Sequence, residues 1–279
     1  MDTDVVEEQS GRLNAMRTIR EVLGHDCRKP FVSLSWEGRN ESPLELSTRI
    51  LATLQLISPR FPAGTYSWFK GPSDIGQAPT PVPEAPVDLA EMVRATFDMT
   101  FGSYYSRSLL SLFLLEGPTK LLDLPSAVTV RAGSGDSNQV TVNLPEDFSL
   151  GDPSDAARLF LDLVRIWQPD LASFSTISAV RALMETKHSS HAAYLAWSSS
   201  KAHIPARLTE RELVIPFGDG WMYVAKEWTV PALVALHNEI APEKVKGPDL
   251  QDPPSFPDGY PAVLDELDGG IVWGGELNE

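Results

Sequence analysis

Residues 31–71 read FVSLSWEGRNESPLELSTRILATLQLISPRFPAGTYSWFKG, and three elements follow from this stretch alone. Phe31, Ser33 and Ser35 alternate with Val32, Leu34 and Trp36, the period-2 pattern of a half-buried strand. Ser42, Pro43 and Glu45 stand in the order of a capping box: the Ser oxygen takes a free backbone N–H, Pro occupies the first helical position, and Glu reaches back to the cap. Leu46, Ile50, Leu54 and Ile57 then recur at helical spacing, with Leu44 and Leu51 widening the apolar face. Pro59 and Pro62 stop that helix, and residues 66–69 read as a second strand before Gly71. Strand, capped helix and strand make one α/β unit, and Trp36 and Trp68, at the ends of its strands, are expected close together.

Upstream, Leu13, Met16, Ile19, Arg20 and Leu23 space as a short amphipathic helix closed by Gly24, after a polar, frayed start. Downstream, the proline-rich stretch 72–86 reads as an extended connector, either a domain boundary or a long surface loop. Asp88 is expected to begin a helix carrying Leu89, Met92, Val93, Thr96 and Phe97 on one face. The apolar run 108–115 is read as a buried strand, with a helical turn as the competing reading. Residues 127–131 and 139–144 flank a Gly/Ser/Asp/Asn loop and predict a hairpin. Asp152 is expected to cap a helix with Leu159, Phe160, Leu163, Val164 and Trp167 in one stripe, ending before Pro169. Strands near 171–177 and 192–197, a short helix near 178–186, and a hairpin of 213–217 with 221–226 about Gly218-Asp219-Gly220 follow. Thr229 caps the last helix. The fold class is thus α/β (α+β), a mixed or antiparallel sheet with helices packed on it, built from two strand–helix units and two hairpins.

Three regions divide the chain: 1–29, an N-terminal helix with a frayed end; 30–241, the α+β domain, or two halves 30–71 and 87–241 joined by 72–86; and 242–279. The last carries nine acidic and two basic side chains, a net of −7, with six prolines. Its Phe256, Tyr260, Val263, Leu264, Leu267, Ile271, Val272 and Trp273 suit a segment docked on the body, and the alternative is an arm that orders on a partner.

The whole chain has 279 residues and a formal net charge of −15, against direct nucleic-acid or anionic-membrane binding and in favour of a basic partner. A single cysteine, Cys27, rules out an internal disulfide. No apolar run reaches the ~20 residues of a membrane span, and the expected location is cytoplasmic. His188 and His191 lack further ligands at metal spacing, the 133–137 glycines lack the Lys-Ser/Thr ending of a phosphate loop, and no nucleophile elbow occurs, so no metal, cofactor or catalytic residue is assigned.

Trp36-Glu37-Gly38-Arg39, then Glu41-Ser42, a Leu-rich helix and Ser67-Trp68-Phe69-Lys70-Gly71, resemble the immunity protein 52 family of bacterial polymorphic-toxin and type VI secretion systems. Residues 166–170 and the Gly218-Asp219-Gly220 turn are similar to that family's second half, so the resemblance spans roughly 30–241. It implies an antitoxin that binds a cognate toxin, often a restriction-endonuclease-like nuclease, and no catalysis. Aromatic and Arg side chains anchor interfaces while carboxylates pair with a basic groove. Trp36, Glu37, Arg39, Glu41, Trp68 and Asp219 are therefore the candidate partner-binding residues. Against this, Trp36 and Trp68 fill the edge of a core and Glu37–Arg39 is a local ion pair. The other functional readings are a small-molecule hydrolase or transferase with an unrecognised site, and an adaptor that docks through the acidic tail.

Overall fold

In the computed structural model the first strand, β1 (Pro30–Trp36), lies inside a ten-stranded antiparallel sheet and buries alternate residues. The structure describes residues 16–61, 67–71, 78–96, 108–115, 127–133, 137–185, 193–199, 209–240 and 253–275. The remaining strands are β2 (Ser67–Lys70), β3 (Thr80–Pro81), β4 (Ser108–Leu115), β5 (Ala127–Ala132), β6 (Asn138–Asn143), β7 (Leu171–Thr176), β8 (Leu195–Ser199), β9 (Glu212–Phe217) and β10 (Gly220–Ala225). Their order across the sheet is β3-β2-β4-β5-β6-β1-β7-β8-β10-β9. Each adjacent pair is antiparallel, which decides between the mixed and antiparallel expectations. Both predicted hairpins form, β5–β6 and β9–β10, and residues 108–115 are a strand.

The helices are α1 (Ile19–Leu23), α2 (Pro43–Ile57), α3 (Pro86–Arg94), α4 (Pro153–Trp167), α5 (Ile177–Glu185) and α6 (Val230–Ile240). The capping box of α2 is present in full: Glu45 N donates to Ser42 Oγ at 3.3 Å, and Ser42 N donates to Glu45 Oε2 at 2.7 Å. Thr18 and Glu21 repeat it on α1, and Gly24 closes that helix at φ 55°. On α2 the predicted stripe is buried except at Leu44, which is 49% exposed. Leu44 lies in the first turn of α2. Helices α2 and α4 cover the sheet face that carries Val32, Leu34 and Trp36, and all join one core cluster. At the centre of the sheet the opposite face carries a polar row, in which Thr129 pairs with Thr141, Thr141 with Ser33 and Ser33 with Ser173.

Four expectations are corrected. β1 and β2 are not neighbours: β4, β5 and β6 stand between them, about 19 Å at ~4.8 Å per strand. The unit read from residues 31–71 is therefore a long connection across the sheet, because α2 carries the chain past three strands added later in sequence. The connector 72–86 contributes an element of its own, β3, whose Thr80 and Pro81 pair with Lys70 and Phe69. Pro81 is tolerated because β3 is an edge strand. Helix α3 starts at Pro86, after Ala85, so Asp88 lies within the first turn and not at the cap. Asp152 occupies the N-cap position of α4 without a side-chain hydrogen bond. The cap comes from the far end of the chain instead, where Ser154 N and Oγ donate to the two carboxylate oxygens of Asp268 at 2.9 and 3.0 Å. Such caps contribute about 1 kcal/mol.

Residues 253–275 lie along the body. An extended stretch, 253–261, leads into a 3-10 helix (Ala262–Gly269) and a two-residue strand β12 (Val272–Trp273), which pairs in parallel with β11 (Glu227–Trp228). Leu264, Leu267, Ile271 and Trp273 are buried, and Trp273 stacks on Trp228 with ring centroids 6.1 Å apart. Tyr260, Val263 and Val272 remain exposed. An adaptor reading needs a free arm, and over residues 253–275 the arm is docked. Phe97, Phe101, Tyr104, Tyr105, His188, His191 and the tip of the β5–β6 loop lie outside the described residues.

Candidate functional site

The C-terminal end of β1 sets the site. Trp36 pairs with Asn138 at the start of β6, Ser35 pairs with Leu171 at the start of β7, and Leu171 pairs with Ser198 near the end of β8. Ser199 pairs with Gly220 beside the β9–β10 turn. The loop 37–42, the end of α4, residues 168–170 and the turn 218–219 thus share one end of the sheet.

Trp36 is buried against Trp167, with ring centroids 5.6 Å apart and planes tilted by 30°. Its Nε1 donates to Glu41 Oε2 at 3.1 Å, and Trp167 Nε1 donates to Thr53 Oγ1 at 2.8 Å. Arg39 lays its guanidinium over the Trp36 ring at 4.8 Å and donates from Nη2 to the Trp167 carbonyl at 3.0 Å. Arg49 donates to the Ile166 and Trp167 carbonyls at 3.0 and 2.8 Å and to Gln168 Oε1 at 2.9 Å. The last carbonyls of α4, which have no partner within the helix, are therefore closed by two cations at the negative end of its dipole. Glu41 lies between the two arginines, with Oε1 3.5 Å from Arg49 Nε.

Burial dominates the electrostatics here. It pushes the Glu41 carboxyl up, against the pull of Arg39, Arg49 and the Trp36 hydrogen bond. It pushes Arg39 down to about 10, with Glu41 opposing. The triad is thus strongly desolvated, and its worth lies in fixing one geometry for the loop. Gln168 follows at φ 48°, a left-handed conformation that costs a non-glycine residue about 1–2 kcal/mol. Its side chain is held by Arg49 on one side and donates to the Pro254 carbonyl at 3.3 Å on the other. Glu37 N donates to Asp170 Oδ2 at 2.9 Å, and Gly38 turns the loop at φ 75°.

Five of the six candidate residues meet at this end, and one does not. Trp36, Arg39 and Glu41 form the internal clasp, and among the described residues Glu37 has no ion pair with Arg39. Glu37 itself is exposed. Asp219 is exposed at the hairpin turn, where its carboxylate accepts from Ser255 N and Oγ at 2.9 and 2.8 Å. Trp68 belongs elsewhere: it lies on β2, its Nε1 donates to Ser58 Oγ at 2.9 Å, and its ring meets Phe61 edge-on. Sequence reading missed Arg49, Trp167, Gln168 and Asp170 as members of this site. The segment 166–170 had been singled out, but nothing local to it signals two arginines from other elements. Among the described residues no group of three or more His, Cys, Asp or Glu side chains is arranged to hold a metal ion. None of the described helices is long and apolar enough to cross a membrane.

Replacing Trp36 with Phe keeps the aromatic contact with Trp167 and removes the donor to Glu41. The expected cost is about 1–2 kcal/mol, the penalty for a buried carboxylate oxygen left without its donor. Urea unfolding of the two proteins measures it, and an unchanged midpoint would mean that water replaces the indole.

No protein-family model matches the chain, and no curated protein does. Among solved structures it is similar to the Pseudomonas aeruginosa T6SS protein PA0821, with 14% sequence identity and a TM-score of 0.45, covering 89% of this chain and 83% of that one. A likeness of this degree carries no statement about family, partner or activity. The immunity protein 52 resemblance accordingly rests on its motifs.

Proposed function

We propose that the protein is an antitoxin of a polymorphic-toxin or type VI secretion system, which binds its cognate toxin stoichiometrically and performs no catalysis. The observation that carries this reading is the convergence of four of the motif segments, the segment Ser67–Gly71 lying apart on β2. Trp36-Glu37-Gly38-Arg39, Glu41-Ser42, Trp167 to Asp170 and Gly218-Asp219-Gly220 are far apart in sequence and build one end of the sheet. The clasp beneath makes the loop rigid, so Glu37 is presented without an ordering cost at binding. With a net charge of −15, the protein attracts a basic surface such as the cleft of a nuclease.

The test is co-expression with a candidate nuclease toxin from the same cells, followed by size-exclusion chromatography and a nuclease assay. A one-to-one complex with the nuclease silenced is expected. Glu37→Lys is expected to weaken the complex at least about tenfold, equivalent to ~1.4 kcal/mol, and the wild-type affinity to fall as salt rises. An affinity indifferent to salt and to Glu37→Lys would remove electrostatics from the mechanism. Failure to bind any toxin of cells that carry the protein would end the antitoxin reading.

A further inference from the structure

The extended stretch 253–261, Pro-Pro-Ser-Phe-Pro-Asp-Gly-Tyr-Pro, fills a groove at the same end of the molecule. Phe256 enters between Trp197 and Phe217, with ring centroids 5.5 and 5.3 Å away. Gly218 and Gly220 keep the floor open. A Cβ on Gly218 would collide with the Ser255 carbonyl, and one on Gly220 would meet the Trp197 ring and the Ser198 carbonyl. Arg165 closes one wall. Its guanidinium lies over Phe217 at 4.9 Å and over Tyr260 at 4.6 Å, and it donates to the carbonyls of Pro257 and Gly259. Gln168 and Asp219 hold Pro254 and Ser255 from the other side.

The attachment is uneven along the chain. Of the nine residues 253–261 only Pro254 is buried, with Phe256 and Pro261 half-buried, and most of the hydrogen bonds are exposed to water. The following residues are anchored by Leu264, Leu267, Ile271 and Trp273. Few buried apolar contacts and solvent-facing hydrogen bonds mark a segment that opens locally without the rest. The occupant also leaves the groove incompletely satisfied: Trp197 Nε1 is buried and has no acceptor among the described residues, although its ring touches Phe256. An aromatic-lined groove holding a proline-rich extended chain is a recurring mode of peptide recognition.

We propose that residues 253–261 are a releasable strap. The groove beneath them receives an extended segment of a partner protein, one that bears proline and an aromatic side chain as the strap does, when the strap lifts. The anchor at 262–275 stays in place and keeps the strap at high local concentration, so the groove recloses when the partner leaves. An incoming segment that also offers Trp197 Nε1 a carbonyl outcompetes the strap. This proposal stands independently of whether the partner is a toxin.

Hydrogen exchange on the full chain provides the first test. Ser255 N and Asp219 N, which hold the strap to the hairpin, are expected to exchange about 100-fold or more faster than Val272 N and Gly275 N in the anchor. Equal rates would mean that strap and anchor open only together, and would overturn the proposal. The second test uses a synthetic peptide of residues 253–261 against the full chain carrying Phe256→Ala, with protection of Val272 N as the control for folding. Saturable binding to the variant, and none to the wild type, is expected. Absence of binding to the folded variant overturns the proposal. If Phe256→Ala does not fold, Tyr260→Ala, which removes the strap's contacts with Asp162 and Arg165 and leaves the groove unchanged, takes its place in the same measurement.

Discussion

Deleting residues 253–279 is expected to leave a chain that does not fold, although the described part of it, 253–275, consists of an extended stretch, a 3-10 helix and the two-residue strand β12. The reason is the burial of Leu264, Leu267, Ile271 and Trp273 against the body. At about 1.5–3 kcal/mol for each large apolar side chain, their loss amounts to ~6–12 kcal/mol before entropy is counted. Total stabilities of about 5–15 kcal/mol leave little after such a loss. Helix α4 would also lose the Asp268 cap on Ser154. Near-ultraviolet circular dichroism and a urea titration of the truncated chain make the measurement. A cooperative transition with the wild-type midpoint would show that the docked segment contributes nothing to the body. The practical corollary is that tail deletion does not separate binding by the body from binding by the tail, whereas point changes within 253–261 do.

The second large effect concerns Glu212 on the edge strand β9. Its carboxyl is buried, Oε1 has no hydrogen-bond partner among the described residues, and desolvation raises it from an ordinary value of 4.5 to about 7, a backbone hydrogen bond from Thr209 opposing only in part. Tyr223, on the same sheet face, is likewise pushed up to about 12 by burial and by Glu212. A carboxyl with a raised value in the folded state binds its proton more tightly there than in the unfolded chain. Folding is therefore favoured most below about pH 4.5 as far as this group is concerned, and stability is lost as pH rises from there to about 7. With 1.36 kcal/mol for each pKa unit, the loss is about 3 kcal/mol. Glu212→Gln removes the titration. The variant is expected to match the wild type at pH 4 and to exceed it by about 3 kcal/mol at pH 8. Urea unfolding across that range is the measurement. Parallel curves for the two proteins would place a compensating cation beside Glu212.

Local signals in the sequence were sound, and long-range ones were not readable. The Ser42–Glu45 box, the alternation of β1 and the strand pairing of both hairpins depend on neighbours close in sequence, and each is found as expected. Strand order depends on contacts between distant segments, so nothing in residues 31–71 reveals that β2 is carried to the far side of β4, β5 and β6. The cap of α4 illustrates the same limit. Asp152 has the right residue type at the right position, yet Asp268 supplies the hydrogen bonds. At the candidate site, Trp36 follows the core-edge alternative, and Arg39 and Glu41 turn inward with it towards the open carbonyls of α4 and the Trp36 indole. Trp68 was grouped with them through its place in the family-like segment 67–71 and the expectation that the ends of β1 and β2 lie close together, which the strand order does not allow.

The place of β1 in the sheet also bears on how the chain is made. Among the described strands β1 comes first in the chain, and both of its partners come much later: Trp36 pairs with Asn138, and Ser35 with Leu171. At about 5–20 residues per second, the roughly hundred residues before β6 take ~5–20 s to appear. Throughout that interval Val32, Leu34 and Trp36 form an apolar strand with two open edges. Among the described strands β1 thus waits longest for its neighbours, and it is a strand for which a chaperone has much to cover.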